Sequence, residues 1–565
     1  MKMRWWAALL AVILVIAAAG CGKPSKEEGT SSGTETQSEA VTESATEAPG
    51  KDETEPVEST SASKDDETAS EEGSSESVEP EKDLPVSFIS PVVRDRKDWA
   101  YDESAQLITM NRDIQTVQLT EEEAAKYPEL AKALADLEGL LESRADDFAA
   151  ETEDLTKEFL QTEEPENYFP LEYSSTLQVK RADNRILSVL ETCSQYGGGV
   201  HGTLEFRGYN YDVQTGKLIG LSEICPEEEK LAQVLMEKLL GAYPEELFYS
   251  EMEDEIAQYL EDYAVFTVGN DGITFYFSPY VIGPYGSGMF EVKLYYSEEC
   301  AELIAEKYRG GMPRFTEQIS EEESLCLRDA SGKEKRVEIY GELVDESEQR
   351  ELMLMMDDVV VKTGAYGYAF ANYRMHLEDG SEYVLCGVTT DNDYGVILIF
   401  DVNGDRPAQT DVVGGAHFEA VDVEVDGDYS TDYIFPKDPG EFRLLRRCDL
   451  LSTYSYLQGV RLAGGKAEVT GKVYETVRYQ EDPLVLKQEM DLLPVKEGTF
   501  EAAGEAEHFA AGTKLFFRYT DGIDRVWFAL EDGRLVEVKL SSTEWPMQVD
   551  GKDIEEVFDG LFFAG

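Results

Sequence analysis

Two glycine-rich loops carry the side chains best suited to contact a ligand. The first is the run 196–202, YGGGVHG, and the second is the run 279–288, PYVIGPYGSG. Tyrosine rings combine an apolar body with a polar tip, so on such loops they can stack on a sugar or on a protein partner. The alternative is that His201 bonds its own turn and that the tyrosines cap the core. The candidate ligand-binding residues are Tyr196, Gly198, Gly199, His201, Tyr280, Tyr285, Gly286 and Ser287.

Catalytic chemistry has little support in the same sequence. The chain has four histidines, and the two nearest, His376 and His417, are 41 residues apart, so the helical histidine pair of a zinc deacetylase is absent. Ser287 lies in Gly-Ser-Gly without the G-x-S-x-G turn of a nucleophile elbow. A glycosidase needs only two carboxylates, and 116 acidic residues leave that possibility open. We expect a protein that is not an enzyme and has no cofactor, with a cell-wall-polymer-modifying enzyme as an alternative.

An acidic turn in the second half of the chain invites a calcium interpretation. The run 424–432 places carboxylates at its positions 1, 3, 5 and 9, and such alternating oxygens suit a hard cation. A tyrosine stands where a sharp turn needs glycine, and the glutamate expected at position 12 is missing. The alternative is a hairpin turn stabilised by aspartate side chains. The candidate calcium ligands are Glu424, Asp426, Asp428 and Asp432.

The N-terminus resembles a bacterial lipoprotein signal. Lys2 and Arg4 precede an apolar run, 7–19, which is short for a membrane span. The run 18–21, AAGC, resembles a lipobox whose Cys21 would carry the lipid. An uncleaved anchor followed by a chance cysteine is the alternative. We expect residues 22–565 to lie at the extracytoplasmic face of the bacterial cell membrane, held by a lipid, with no cytosolic domain.

Composition limits the partners that the protein can have. Asp and Glu number 116 against 50 Lys and Arg, which gives a net charge of −66. A nucleic-acid backbone would be repelled, and so would anionic lipid headgroups. We therefore expect no nucleic-acid partner, and membrane contact only through the N-terminal lipid. Six further cysteines are scattered without a C-x-x-C pair, so disulfides and buried free thiols remain equally possible.

Hydrophobic patterns predict the elements that hold the two loops. The run 106–119 alternates like a strand, and Thr120 with the following glutamates is typical of a helix start. Leucines at helical spacing predict a helix over 120–163 that packs on a sheet. Strands return from Leu171, and a helix is expected over 227–240. After 310, short strands separated by glycine turns predict a β-rich half.

Three segments, in this order, resemble the extracytoplasmic domain of RsiV-type anti-sigma factors. They are the turn at 196–201, the run 210–219 (NYDVQTGKLI) and the block 275–288 (FYFSPYVIGPYGSG). That domain is known as domain of unknown function 3298, and a domain of unknown function 4163 often precedes it. The resemblance covers about 100–300. It implies a small non-catalytic α/β domain, with a curved antiparallel sheet and packing helices, that binds lysozyme.

The predicted fold class is α+β: a small antiparallel-sheet α/β ligand-binding domain, followed by a β-rich half that ends in an SH3-like barrel. The predicted segments are a signal peptide (1–21), a disordered acidic Ser/Thr/Glu linker (22–85), the RsiV-type domain (86–310), a β-rich domain (311–500) and the barrel (501–565).

The favoured function is a surface-anchored, non-enzymatic lipoprotein that binds a lysozyme-like cationic protein or cell-wall glycan (peptidoglycan). A purely structural envelope protein is a further alternative. RsiV-type proteins carry a cytosolic sigma-binding segment before the membrane span. This sequence has none, so we do not expect it to signal through a sigma factor.

Overall fold

Long strands and one long helix begin the part of the chain that the structure describes. The computed structural model describes residues 85–162, 168–328, 332–344, 349–390, 394–425, 428–477 and 482–564. The first eight strands are β1 (Pro91–Asp102), β2 (Leu107–Leu119), β3 (Leu171–Ala182), β4 (Ile186–Tyr196), β5 (Thr203–Asp212), β6 (Phe266–Val268), β7 (Gly272–Phe277) and β8 (Phe290–Tyr295). The helices are α1 (Glu121–Lys126), α2 (Pro128–Thr162), α3 (Leu221–Ile224), α4 (Glu228–Ala242), α5 (Met252–Asp262) and α6 (Ile554–Val557).

The predicted helix over 120–163 is confirmed, with one interruption. The Thr120 hydroxyl accepts a hydrogen bond from the Glu123 backbone, which caps α1 as the sequence predicts. The helix breaks at Tyr127, because the residue before a proline is pushed out of the helical region. The leucines of α2 then pack on the sheet, confirming the predicted face: Leu130, Leu134, Leu137 and Leu141.

The described part of the chain after residue 310 is almost entirely β. Its strands up to residue 434 are β9 (Phe315–Ile319), β10 (Ser324–Arg328), β11 (Glu334–Leu343), β12 (Arg350–Met356), β13 (Val359–Gly367), β14 (Ala369–His376), β15 (Glu382–Thr389), β16 (Gly395–Asp401), β17 (Ala408–Gly414), β18 (Ala416–Phe418), β19 (Ala420–Val425) and β20 (Asp428–Ile434). The remaining strands are β21 (Phe442–Cys448), β22 (Tyr454–Ala463), β23 (Lys466–Val469), β24 (Tyr474–Val477), β25 (Leu484–Leu486), β26 (Met490–Val495), β27 (Glu507–Phe509), β28 (Lys514–Thr520), β29 (Arg525–Ala529), β30 (Leu535–Ser542), β31 (Gln548–Val549), β32 (Lys552–Asp553) and β33 (Phe558–Asp559).

A seven-stranded sheet joins distant parts of the sequence. Its strand order is β19-β20-β1-β2-β3-β4-β5. Strands β2 and β3 are parallel, and α2 lies in the connection between them. Strand β1 pairs antiparallel with β20, with Val92 opposite Ile434. Arg94 strengthens this pairing, because its guanidinium donates two hydrogen bonds, of 2.7 and 3.0 Å, to the Asp432 carboxylate.

The small sheet β6-β7-β8 has one apolar face and one polar face, since successive side chains of a strand point to opposite sides. Ile273, Phe275 and Phe277 lie on the apolar face, in one hydrophobic cluster with the buried leucines of α4. Glu291 and Lys293 of β8 lie on the other face. Both are buried: Glu291 accepts a hydrogen bond from the Ser324 backbone at 2.8 Å, and Lys293 forms an ion pair with Asp271 at 2.8 Å.

The strands predicted within 501–565 are present as β28, β29 and β30, but the SH3-like barrel is not confirmed. These strands belong to a 14-stranded sheet that also contains β21, β22 and β24. Tyr474 of β24 lies opposite Thr520 of β28, so an outside strand covers the edge that a barrel would close on itself. In the part of the chain that the structure describes, no sheet closes into a barrel. The architecture is mostly β and compatible with the α+β class.

Charged groups lie buried where the β7–β8 hairpin meets the β-rich half. The Arg374 guanidinium donates to Glu317, Glu382 and Asp271, over 2.7 to 3.1 Å. Lys180 forms a second buried pair with Glu323 and also donates to the Gln318 carbonyl at 2.7 Å. Because a buried charge is costly unless it is paired, these contacts fix how the elements pack. No helix within the described ranges is apolar over a stretch long enough for a membrane crossing.

Because its carboxyl is buried, Glu291 makes the free energy of unfolding fall as the pH rises above 7. Burial, and then the nearby Glu323, raise the pKa of Glu291 to about 8. A raised pKa in the folded state means that this group's contribution is complete at acid pH and is lost as the pH rises through the folded value. We expect the free energy of unfolding to fall by about 1.4 kcal/mol between pH 7 and 9 from this group. Urea unfolding at both pH values measures it.

The neutral variant Glu291→Gln provides the comparison. It should flatten the fall between pH 7 and 9, whereas Glu468→Gln, at an exposed ion pair with Arg461, should leave it unchanged. An equal alkaline loss in Glu291→Gln and the wild type would contradict the assignment.

Candidate functional site

The first glycine-rich loop connects β4 to β5 and depends on two glycines. Gly198 and Gly199 have φ angles of +92° and +103°, in a region that residues with a Cβ rarely adopt. The space around both is open, since an added Cβ would meet nothing within 4 Å. The Tyr196 hydroxyl donates to the Gly199 carbonyl at 3.3 Å and closes the loop. The backbone conformation, not crowding, therefore requires glycine here.

The strand that leads into this loop is fixed by a buried carboxylate. Glu191 on β4 accepts hydrogen bonds from the Tyr209 hydroxyl at 2.6 Å and from Arg144 and Arg207, each at 3.1 Å. Burial, and then the charge of Glu191, raise the pKa of Tyr209 above its usual value. The Tyr209 hydroxyl therefore stays protonated and donates, which holds the middle of β4 in place.

The second loop connects β7 to β8 and contains a strained tyrosine. Tyr280 has a φ angle of +74°, and its backbone N–H donates to the Gly283 carbonyl at 3.0 Å. A left-handed conformation costs a residue with a side chain about 1–2 kcal/mol, and such strain concentrates at functional sites. The Ser278 hydroxyl accepts from the Phe206 backbone at 3.0 Å, which ties the loop to β5.

The structure brings the two loops together. The His201 and Tyr285 rings are stacked, with centroids 4.1 Å apart and an interplanar angle of 20°. Tyr280 lies next to Tyr285, with ring centroids 5.6 Å apart. The Tyr285 hydroxyl donates to the Gly202 carbonyl at 3.2 Å, directly joining one loop to the other. We call the surface formed by His201, Tyr280 and Tyr285 the aromatic surface.

The aromatic surface is open to solvent while its backbone is held. Tyr280 is 58% exposed, and Val200, beside His201, is 92% exposed. Partial burial, and then Tyr280, raise the pKa of Tyr285, so its hydroxyl remains a donor. Val200 was missed by the sequence reasoning. An apolar residue between glycine and histidine, in a turn too short to bury it, is the signal that could have identified it.

The predicted ligand-binding residues divide into three kinds of position. His201, Tyr280 and Tyr285 form the aromatic surface, and Tyr196, Gly198 and Gly199 shape the loop beneath it. The His201 ring nitrogen Nδ1 lies 2.9 Å from the Gly202 carbonyl, so this histidine both bonds its own turn and presents its ring.

The last two predicted residues, Gly286 and Ser287, follow Tyr285 directly but do not belong to the aromatic surface. Gly286 is exposed in the middle of a short helical turn, Tyr285–Ser287. Ser287 is only 8% exposed, at the end of that turn, so its side chain is not part of the open surface.

The candidate calcium residues are only partly described. Asp426 and the side chain of Asp428 lie outside the described residues. The Asp432 carboxylate is occupied by Arg94, and it also accepts from Gln118 at 3.2 Å. Glu424 is exposed on β19. Within the described ranges no three histidine, cysteine, aspartate or glutamate side chains group as metal ligands would.

The cysteines that the structure describes are all free thiols, and five of the six are buried. They are Cys193, Cys225, Cys300, Cys326, Cys386 and Cys448. The predicted signal peptide, its Cys21 and nearly all of the predicted linker lie outside the described residues.

The region that contains the second loop matches a known protein family. Residues 226–297 match the model of the family described as "Protein of unknown function (DUF3298)", so the predicted domain of unknown function 3298 is confirmed there. This segment contains Tyr280 and Tyr285, whereas His201 precedes it. The RsiV-type assignment and the 4163-like region stay predictions. No curated protein matches the chain.

Two solved structures are similar to parts of this chain. One is a member of the DUF3298 family from Bacteroides fragilis, which is 18% identical, with 39% of this chain and 94% of that chain covered and a TM-score of 0.28. The other is a DUF3298 family protein from Pseudomonas aeruginosa, which is 15% identical, with 41% and 99% covered and a TM-score of 0.25.

The strain at Tyr280 predicts an unusual order of stabilities. Because glycine adopts a positive φ without cost, Tyr280→Gly should be more stable than Tyr280→Ala by about 1 kcal/mol. The exposed ring contributes little packing, so neither variant should unfold the protein. Thermal denaturation of both variants measures the difference. An alanine variant as stable as the glycine variant would show that Tyr280 is not strained.

Proposed function

We propose that this protein is a surface-anchored, non-enzymatic lipoprotein whose aromatic surface binds a cationic, lysozyme-like protein. The observation that carries the proposal is the stack of His201 and Tyr285 beside the exposed Tyr280. Tyrosine is enriched among the few residues that dominate protein–protein binding energy. The exposed Val200 adds an apolar group to the same loop pair.

The way in which the rings are held supports binding without large ordering costs. The hydrogen bond from Tyr285 to Gly202 joins the two loops before any partner arrives, and the bond from Phe206 to Ser278 ties the second loop to β5. A pre-organised surface loses less conformational freedom on binding, so more of its contact energy appears as affinity.

Charge favours a basic partner over an acidic one. The net charge of −66 attracts cationic proteins over several ångströms and raises the rate at which they meet this chain. Complementary charge mainly improves association rate and partner choice, whereas aromatic contacts supply lasting affinity. Salt separates the two contributions, because it screens the attraction between charges and hardly affects the aromatic contacts.

Cell-wall glycan is the second candidate ligand. The observation that favours it is the exposure of the Tyr280 ring, since an open aromatic face next to a second ring offers a platform for the apolar face of a sugar. Soluble peptidoglycan fragments can be titrated against the same variants. Glycan binding that requires Tyr280, together with no lysozyme binding, would replace the first candidate.

The deciding experiment is calorimetric titration of the full chain with lysozyme at roughly 50 and 300 mM salt. We expect binding that persists at the higher salt. Tyr280→Ala should weaken it by about thirtyfold, equivalent to about 2 kcal/mol for a central aromatic contact. Tyr101→Ala is the matched control, because Tyr101 is a comparably exposed tyrosine, 52% exposed, on β1.

Two results would reject lysozyme as the ligand. Binding that disappears at 300 mM salt would mean only that an acidic protein meets a basic one. Equal losses in Tyr280→Ala and Tyr101→Ala would place the binding surface elsewhere.

We further propose that Cys21 carries the lipid that anchors the chain at the extracytoplasmic face of the membrane. The support is the sequence 18–21 after a short apolar run. Cys21→Ala should abolish incorporation of radiolabelled palmitate when the protein is expressed in a bacterium. Continued labelling of the variant would contradict lipidation at this residue.

A further inference from the structure

A groove of about 580 Å³ lies on the C-terminal part of the 14-stranded sheet, far along the chain from the aromatic surface. Phe516, Ala529 and Leu535 form its floor as a row of neighbours across β28, β29 and β30. The middle residue is small and its two neighbours are large, so the row is concave above Ala529. The groove is open to solvent rather than enclosed.

A β-bulge places a cation at this groove. The register of β28 against β29 shifts between Phe517 and Tyr519, so Arg518 is the extra residue of the bulge. Bulges redirect a side chain and occur often beside functional sites. Arg518 lines the groove and is exposed. Its guanidinium has no ion pair or hydrogen bond among the described residues.

A carboxylate that has no ion pair within the described ranges also lines the groove. Glu497, in the segment after β26, accepts a hydrogen bond from the neutral Tyr519 hydroxyl at 3.1 Å and forms no ion pair with a described residue. The other lining carboxylate, Glu531, pairs with Lys514 at 3.2 Å. The Phe500 ring packs on Tyr519, with centroids 5.0 Å apart, and holds the Glu497 segment against the sheet.

We propose that this groove binds a short peptide with a free amino group and a free carboxylate. Arg518 would receive the carboxylate, for which the planar guanidinium is well shaped. Glu497 would receive the ammonium, and a small side chain would lie above Ala529. A simple anion would be repelled by a protein of net charge −66, whereas a zwitterion carries no net charge. Two opposite charges that line one groove without an ion pair therefore fit a zwitterion better than an anion.

The test is a ligand-observed NMR titration of the full chain with alanyl-alanine. We expect saturable binding with a Kd of roughly 1–10 mM, given the few atoms of the ligand. Two derivatives of alanyl-alanine serve as comparison ligands. Its C-terminal amide lacks the negative charge, and its N-acetyl form lacks the positive charge. Each should bind about tenfold more weakly, as expected for a lost charged hydrogen bond.

Two exposed substitutions assign each charge to its partner. In Arg518→Gln, alanyl-alanine and its amide should bind equally, while the effect of acetylation remains. In Glu497→Gln, alanyl-alanine and its N-acetyl form should bind equally, while the effect of amidation remains. Arg461→Gln, at an exposed pair with Glu468, should behave as the wild type. Absent or non-saturable binding of alanyl-alanine to the wild type would overturn the proposal. So would an Arg518→Gln variant that still binds the amide more weakly than alanyl-alanine, or a Glu497→Gln variant that still binds the N-acetyl form more weakly.

Discussion

The Arg374 guanidinium is only 1% exposed, and it can stay charged there because three carboxylates surround it. Glu317 and Glu382 come from strands β9 and β15 of its own sheet, while Asp271 comes from the turn before β7. Burial alone would raise the pKa of Asp271, but the charges of Arg374 and Lys293 outweigh it and keep that pKa below its usual range. Replacing Arg374 would leave these three carboxylates without the guanidinium that they share, so the group depends on that one cation.

This requirement joins the 3298 domain to the β-rich half and fixes the hairpin that carries the second loop. Asp271 stands at one end of β7, and the loop with Tyr280 begins at the other end. Lys293 and Glu291 hold the returning strand β8 from the same polar face. The aromatic surface therefore rests on a hairpin that is clamped along its length. Its loops can carry strain, as at Tyr280, because the rest of the hairpin determines where they lie.

Local patterns predicted the elements but not their assembly. The leucine spacing of α2, the cap at Thr120 and the glycine-rich loops each depend on nearby residues, so the sequence reveals them. The pairing of Arg94 with Asp432 spans 338 positions, and the stacking of His201 on Tyr285 joins two separate loops. No local pattern contains such contacts. The SH3-like prediction failed for the same reason: strands of the right length were recognised, but β24 and its pairing with β28 lay outside the segment considered.

The most direct test of this account is hydrogen exchange, followed by mass spectrometry, of Arg374→Met beside Arg461→Met. Loss of a buried charge partner should cost about 3–5 kcal/mol, whereas the exposed pair of Arg461 with Glu468 should cost less than about 1 kcal/mol. In Arg374→Met we predict that backbone protection falls both in β14–β15 and in the β7–β8 hairpin, while Arg461→Met keeps both. Protection lost only around β14, with the β7–β8 hairpin unchanged, would show that the buried charges do not clamp the hairpin that carries the aromatic surface.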